Sequence, residues 1–326
     1  MCQTERFGFK ARSGASWGGD IDIEIIGEGL LFPEGPVIFE DGSLVFVEVL
    51  RGTLTRLWGD GRSEVVANLG GGPNGAALGP DGAIYVTNNG GFNWRRDDDG
   101  HPTILPGLPD SYEGGRIERV DLTDGSFERI YVDCDGFGLR GPNDLVFDRT
   151  GGIWFTDLGK RTPRVRDISG LYYARPDGSC IQSVHFGGLS FNGVGLSPDE
   201  RTVYVADTLN ARVWAYDSPT PGEVRPKGAG VSPAAVFGAL PGEQMLDSLA
   251  VTEAGDVCVG TLINGGITTF RAGGAFSHLP LPDSHVTNIC FGGPDRCDAF
   301  VTLSATGRIA RLRWPEPGLA LNFTTY

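Results

Sequence analysis

Glu34, Asn74, Asn143, Asn192 and Asp247 share one position in a repeated pattern: each opens a short apolar run, and seven residues later comes an Asp-Gly turn or its equivalent. Carboxylate and amide oxygens are hard donors of the kind that hold a divalent cation, and Ca2+ accepts about 6–8 of them. Two of the five are acids, able to move a proton beside such a cation. Neither His nor Cys occupies the position, so Ca2+ is expected ahead of Zn2+, with Mg2+, Mn2+ and Fe2+ as further candidates. Asn and Asp before a strand also serve as turn formers that bond their own backbone. That accounts well for any one of them, less well for five in register, and poorly for the glutamate.

The elements that must position these residues are hairpins. PEGPVIFEDGSLVF from Pro33 shows the pattern, two apolar runs joined by a turn in which Gly supplies positive φ. The returning strands read SLVFVE from Ser43, AIYVTN from Ala83, GIWFTD from Gly152, TVYVAD from Thr202 and DVCVGT from Asp256. Third strands follow, such as GTLTRLW from Gly52 and RVWAYD from Arg212. A sixth copy begins at Val286; the apolar alternation puts Thr287 at the opening position, while counting back from the turn puts Asn288 there. Six such units spaced 40 to 69 residues apart, in a chain of 326 residues with 51 Gly and 21 Pro, predict an all-β, six-bladed β-propeller. One unit cannot bury both faces of its sheet alone, and stacking in a ring does so.

Closing the ring requires the chain ends to meet, and IDIEII at 21–26 or LALNF at 319–323 can supply the outer strand of the last blade. The expected organisation is an N-terminal extension, 1–26, carrying a candidate blade-closing strand, followed by a single propeller domain, 27–326. In the ring, the opening residues converge at one mouth of the central channel. Carboxylates crowded there repel unless a cation compensates them. The second strands end fourteen residues after the opener at Glu48, Asn88, Asp157 and Thr261, and one residue later at Asp207. Asp157 and Asp207 are expected to orient the metal ligands, with solvated strand ends as the alternative.

A net charge of −14 argues against nucleic acid or an anionic membrane as partner. The first residues lack an apolar core typical of a secretory leader, and no apolar run is long enough to span a bilayer, so a cytoplasmic protein is expected. Six cysteines without a CxxC pair read as free thiols. Four histidines show no metal-ligand spacing, though His285 lies close enough to the sixth opener to reach the mouth. No Walker loop is present, and GGGPNG at Gly70 precedes a strand rather than a helix. The Gly/Pro-rich, polar segment 90–114, with Trp94, His101 and Tyr112, is expected either to cover the site or to be disordered or serve packing alone; 218–232 is a second long loop.

Four segments carry a resemblance: PEGP around Glu34, RGPNDLVFDRTGGIWFTD from Arg140, FNGVGLSPDERTVYVADTLNARVWAYD from Phe191 and LDSLAVTEAGDVCVGT from Leu246. Together, over roughly residues 32–312, the chain resembles the SMP-30/gluconolactonase, or regucalcin-like, family. The resemblance implies one catalytic divalent metal at the channel mouth, held by Glu34, Asn143, Asn192 and Asp247, with Asn74 meeting substrate or a metal-bound water. It implies hydrolysis of a small lactone, in which the cation polarises the carbonyl and acidifies a water. Asp247 is then the candidate base, Arg140 and Asn74 help hold the oxyanion, and Tyr112, His285 and Asn288 stand as substrate-side candidates. Two rival readings use the same site: a phosphotriesterase-like hydrolase or lyase/isomerase, and a non-catalytic calcium-binding propeller. FTDLGKRTPR from Phe155 departs from the Asp-Pro and Tyr-Gly continuation frequent in sugar lactonases.

Overall fold

The computed structural model describes residues 6–9, 21–226 and 233–324, so Cys2 and the end of the 218–232 loop lie outside it. Within these residues the regular elements are strands, and six antiparallel sheets surround a central channel as a six-bladed β-propeller, with two two-stranded hairpins beside them. Blade one runs through Pro33–Ile38, Leu44–Glu48, Thr53–Leu57 and Ser63–Asn68 in simple meander order. The inner strands of the other blades are Pro73–Leu78, Pro142–Phe147, Phe191–Leu196, Met245–Val251 and Val286–Gly292.

The turn after the inner strand follows the expected chemistry in four blades. Gly42, Gly82, Gly151 and Gly255 adopt φ between 76° and 89°. Blade four has no glycine there, and Glu200 takes φ 58° instead. Its carboxylate is held by Arg149 Nε at 2.9 Å and by Asn322 Nδ2 at 2.7 Å, contacts that offset the strain of a non-glycine residue in this region.

Each sheet is apolar on both faces, so the core lies between blades. Val45, Val47 and Leu54 of blade one pack against Ile84 and Val86 of blade two, and Trp154 and Leu171 of blade three against Val194 and Val205 of blade four. The N-terminal strand Ile21–Gly27 closes the ring, pairing with Arg308–Arg313 of blade six in the register Glu24↔Arg311 and Ile25↔Ala310. The C-terminal LALNF segment does not close it. Leu319 N donates to Val251 O, Phe323 packs edge-on against Phe147, and the tail lines a cavity of about 210 Å³ with the lower ends of the inner strands. The five cysteines among the described residues are free thiols.

The 90–114 insertion is a hairpin, Asn93–Arg96 with Pro102–Leu105, in the register Trp94↔Ile104. Trp94 rests on Phe32, with ring centroids 5.1 Å apart, and Gly107 N donates to Arg161 O at 2.9 Å, so the hairpin bridges blade one and the blade-three loop.

Candidate metal centre

Every inner strand slips in register just after it begins. Pro142 pairs with Asp157, but the next regular partner is Leu145↔Phe155; blade five repeats this with Leu246↔Thr261 and Leu249↔Val259. Such a bulge bends the strand and re-aims its side chains. Glu34, Asn74, Asn143, Asn192 and Asp247 thereby line one cavity of about 380 Å³ beneath the covering hairpin. In blade six Thr287 follows Val286 as Asn143 follows Pro142, which makes Thr287 the equivalent residue. Asn288, one step on, donates from Nδ2 to Glu34 Oε2 at 2.7 Å.

The residue after the opener is glycine in blades one, two and four because the neighbouring backbone occupies the space. A Cβ on Gly35 would lie 2.7 Å from Ala76 N, on Gly75 2.8 Å from Asn143 O, and on Gly193 2.7 Å from Ser248 Cα. Hydroxyls tie the blades at the same level: Thr87 Oγ1 donates to Asn143 O at 2.5 Å, Thr156 to Asn192 O, and Ser304 Oγ to Pro33 O at 2.6 Å. Gly193→Ala is therefore expected to push blades four and five apart between Asn192 and Asp247, destabilising by about 2–3 kcal/mol and weakening cation binding. Thermal melts and a Ca2+ titration check this, and an unchanged melting temperature would refute it.

The electrostatics of the ring are costly without a cation. Burial pushes the Glu34 carboxyl up to about 7, against hydrogen bonds from Asn288 and Gly35. Burial, then the Glu34 charge, holds Asp247 well above the ordinary carboxylate range. A third acid, Asp144, joins them: burial and Glu34 push it up to about 8, although Leu145 N and Val194 N donate to it. Among the described residues no lysine or arginine is a chief influence on these three acids. Asn143 Oδ1 is buried with no hydrogen-bond partner, while Asn192 Oδ1 is met by Ser248 Oγ at 3.3 Å. An orphaned amide oxygen beside two buried acids fits a hard divalent cation. Among the described residues no group of three His, Cys, Asp or Glu is placed to hold a metal, so a cation here depends on the amides as well as the acids.

The remaining candidates divide. Asn74 and His285 line the cavity, the histidine held below its usual range by burial. Arg140 and Tyr112 do not: Arg140 Nε pairs with Asp167 Oδ2 at 3.0 Å, and Tyr112 OH donates to Arg140 O at 2.7 Å, beside the cavity rather than in it. Their expected substrate roles are not supported, because an acid on the loop between the second and third strands of blade three already engages the guanidinium. Asp157 accepts from the backbone N–H of Arg140, Gly141 and Gly159 at 2.7–2.8 Å. Asp207 accepts from Ser190 N at 3.1 Å and Asn210 Nδ2 at 2.6 Å. These acids fasten the segments leading into blades three and four, and touch no ligand side chain directly.

Two residues escaped the reading of the sequence. Strand alternation would turn Asp144 away from the channel, and only the bulge brings it in. Lys160 is buried in the cavity wall with Nζ donating to Gly91 O at 2.7 Å and lying 4.2 Å from the Phe92 ring. Burial pushes its ammonium down to about 7, against the pull of Asp157.

The family model for the SMP-30/gluconolactonase/LRE-like region matches residues 32–305. A gluconolactonase of Zymomonas mobilis is 24% identical over 60% of this chain and 54% of its own length. A diisopropyl-fluorophosphatase of Loligo vulgaris is 26% identical over 61% of this chain and 66% of its own. The chain thus matches from about half to two thirds of the length of these relatives. A gluconolactonase structure from Xanthomonas campestris superposes with a TM-score of 0.72 at 23% identity, covering 96% of both chains, which bears on the fold. With that match running through all six inner strands, the chain belongs to the SMP-30/gluconolactonase/LRE-like family.

Proposed function

We propose that this protein is a divalent-metal-dependent hydrolase that opens a small lactone. The observation that carries the reading is the buried, partnerless Oδ1 of Asn143, set beside Glu34 and Asp247 at the floor of a cavity large enough for a small molecule. Glu34, Asn143, Asn192 and Asp247 would hold the cation, with Ca2+ favoured by an all-oxygen donor set. Once bound, it supplies Lewis-acid polarisation of the ester carbonyl and a water acidic enough to react near neutral pH. Asp247 takes the proton of the attacking water, a role suited to a carboxylate whose affinity for protons is already raised. Asn74, whose amide has no partner among the described residues, orients the substrate, and Phe32, Phe92, Leu158 and Met245 exclude bulk water. Membership in a family that includes lactonases supports this reading. The Loligo relative, named for a fluorophosphate, keeps a phosphotriester as the second substrate class.

Metal-stripped protein is expected to be inactive on a lactone panel and to recover with Ca2+, Mn2+, Mg2+, Zn2+ or Fe2+; no rescue by any cation on any lactone would sink the reading. The same samples carry a pH signature. A carboxyl held at about 7 when folded, against 4.5 ordinarily, contributes stability below pH 4.5 that is lost as pH rises through 7. A cation reverses that loss. The metal-induced rise in melting temperature is therefore expected to grow from pH 5 to pH 8, as read by melts with and without EDTA.

A further inference from the structure

The loop between the second and third strands of blade three forms one wall of the cavity. An isolated antiparallel bridge joins Arg161 to Arg166, closed by Thr162 N donating to Val165 O at 2.7 Å. Residues facing each other across such a bridge send their side chains to the same side, Cβ atoms about 4.5–5.5 Å apart, and like charges so placed repel. Both arginines line the cavity that has Glu34 and Asp247 at its floor.

In a chain of net charge −14, such a pair would be expected to find acidic partners. Among the described residues Arg161 donates only to the Ile104 carbonyl of the covering hairpin, at 3.3 Å. Arg166 makes no hydrogen bond or ion pair within the described residues; burial and the Arg161 charge hold it below its usual range, and Asp207 only partly offsets them. Asp207 is itself engaged by Ser190 N and Asn210. The next residue, Thr208, lines the same cavity and has a buried hydroxyl with no partner. Lys160 is turned aside, its Nζ held by Gly91 O and Asn89 Oδ1. The cavity thus has an acidic floor suited to a cation and a cationic wall with unmet donors.

We propose that Arg161, Arg166 and the Thr208 hydroxyl form an anion subsite, so that the substrate is a lactone carrying a carboxylate or phosphate remote from its scissile ester. This rests on the hydrolase reading above and extends it to substrate class. A guanidinium fork pairs with either anion through two parallel N–H bonds, and apolar cavity walls strengthen the attraction. The floor acids repel the same anion, so binding it at the arginines directs the ester toward the metal ring.

The test compares the metal-loaded full chain on D-glucono-1,5-lactone, neutral, with D-glucaro-1,4-lactone, a carboxylate, and 6-phospho-D-glucono-1,5-lactone, a phosphate. The charged substrate is expected to be preferred at least tenfold in kcat/KM, with the better arm identifying the anion. Arg166→Gln, at a side chain with no partner to lose, should cut that ratio at least tenfold, and Arg166→Lys should restore part of it. A ratio near one, or one that Arg166→Gln leaves unchanged, overturns the subsite while lactone hydrolysis stands. Calorimetric binding of D-glucuronate and D-glucose 6-phosphate, against D-glucose, separates the two readings. If no lactone turns over yet anion binding is lost in Arg166→Gln, the subsite holds and the hydrolase reading fails. Anion binding no tighter than that of glucose, or indifferent to the substitution, overturns the subsite.

Discussion

Glu34→Gln is expected to make the metal-free protein more stable and the metal-loaded protein inactive. The substitution removes a buried charge that meets Asp144 and Asp247 without a counter-cation, so the repulsion and desolvation that raise these carboxyls are relieved. Gln retains an oxygen to accept from Gly35 N and Asn288 Nδ2, so the local hydrogen bonds persist. The cation loses one of its two anionic ligands, and turnover is expected to fall by roughly 10³-fold or more, about 4 kcal/mol of transition-state stabilisation. Melts of stripped protein, calorimetric metal titration and lactone hydrolysis together check this. Opposite signs for apo stability and metal affinity are the signature, and a variant that lost both would place Glu34 in the folding core instead.

Asp247→Asn separates the two roles assigned to that residue. As a ligand alone, its loss should be recovered at saturating metal; as the base, it should not. The expected result is kcat reduced roughly 10²–10⁴-fold even at saturating metal, the range for removing a positioned general base. The acid limb of the pH–rate profile should flatten as well, since that limb reports protonation of the missing carboxylate. Recovery of kcat on adding metal would reduce Asp247 to a ligand and move the proton transfer elsewhere.

Much of this site could be read from the linear chain because the propeller repeats. The interval of seven residues from Glu34 to its turn recurs at Asn74, Asn143, Asn192 and Asp247, and a ring converts equal positions in successive blades into neighbours. The same logic settles blade six in favour of Thr287, with Asn288 serving Glu34 from the next position. Arg140 and Tyr112 lie outside the cavity that the strand openers line. Arg140 lies between blades two and three and Tyr112 in the blade-two insertion, where no period constrains direction, and local pairing with Asp167 and the Arg140 carbonyl decides where each points. Asp157 and Asp207 stand at the strand ends where they were expected, but their oxygens meet backbone N–H groups that would otherwise be buried unpaired.

By itself, then, the sequence determined the blade count, the hairpin turns and the five oxygen-bearing residues at the channel mouth, because each depends on local spacing repeated around a ring. Tertiary structure alone decided three things. The bulge that opens each inner strand brings Asp144 into the channel against the alternation of a regular strand. The N-terminal strand, rather than the C-terminal one, closes blade six. The Arg161–Arg166 bridge places two guanidinium groups, neither with an acidic hydrogen-bond partner among the described residues, in the wall above Glu34 and Asp247, through loop contacts that no periodicity encodes.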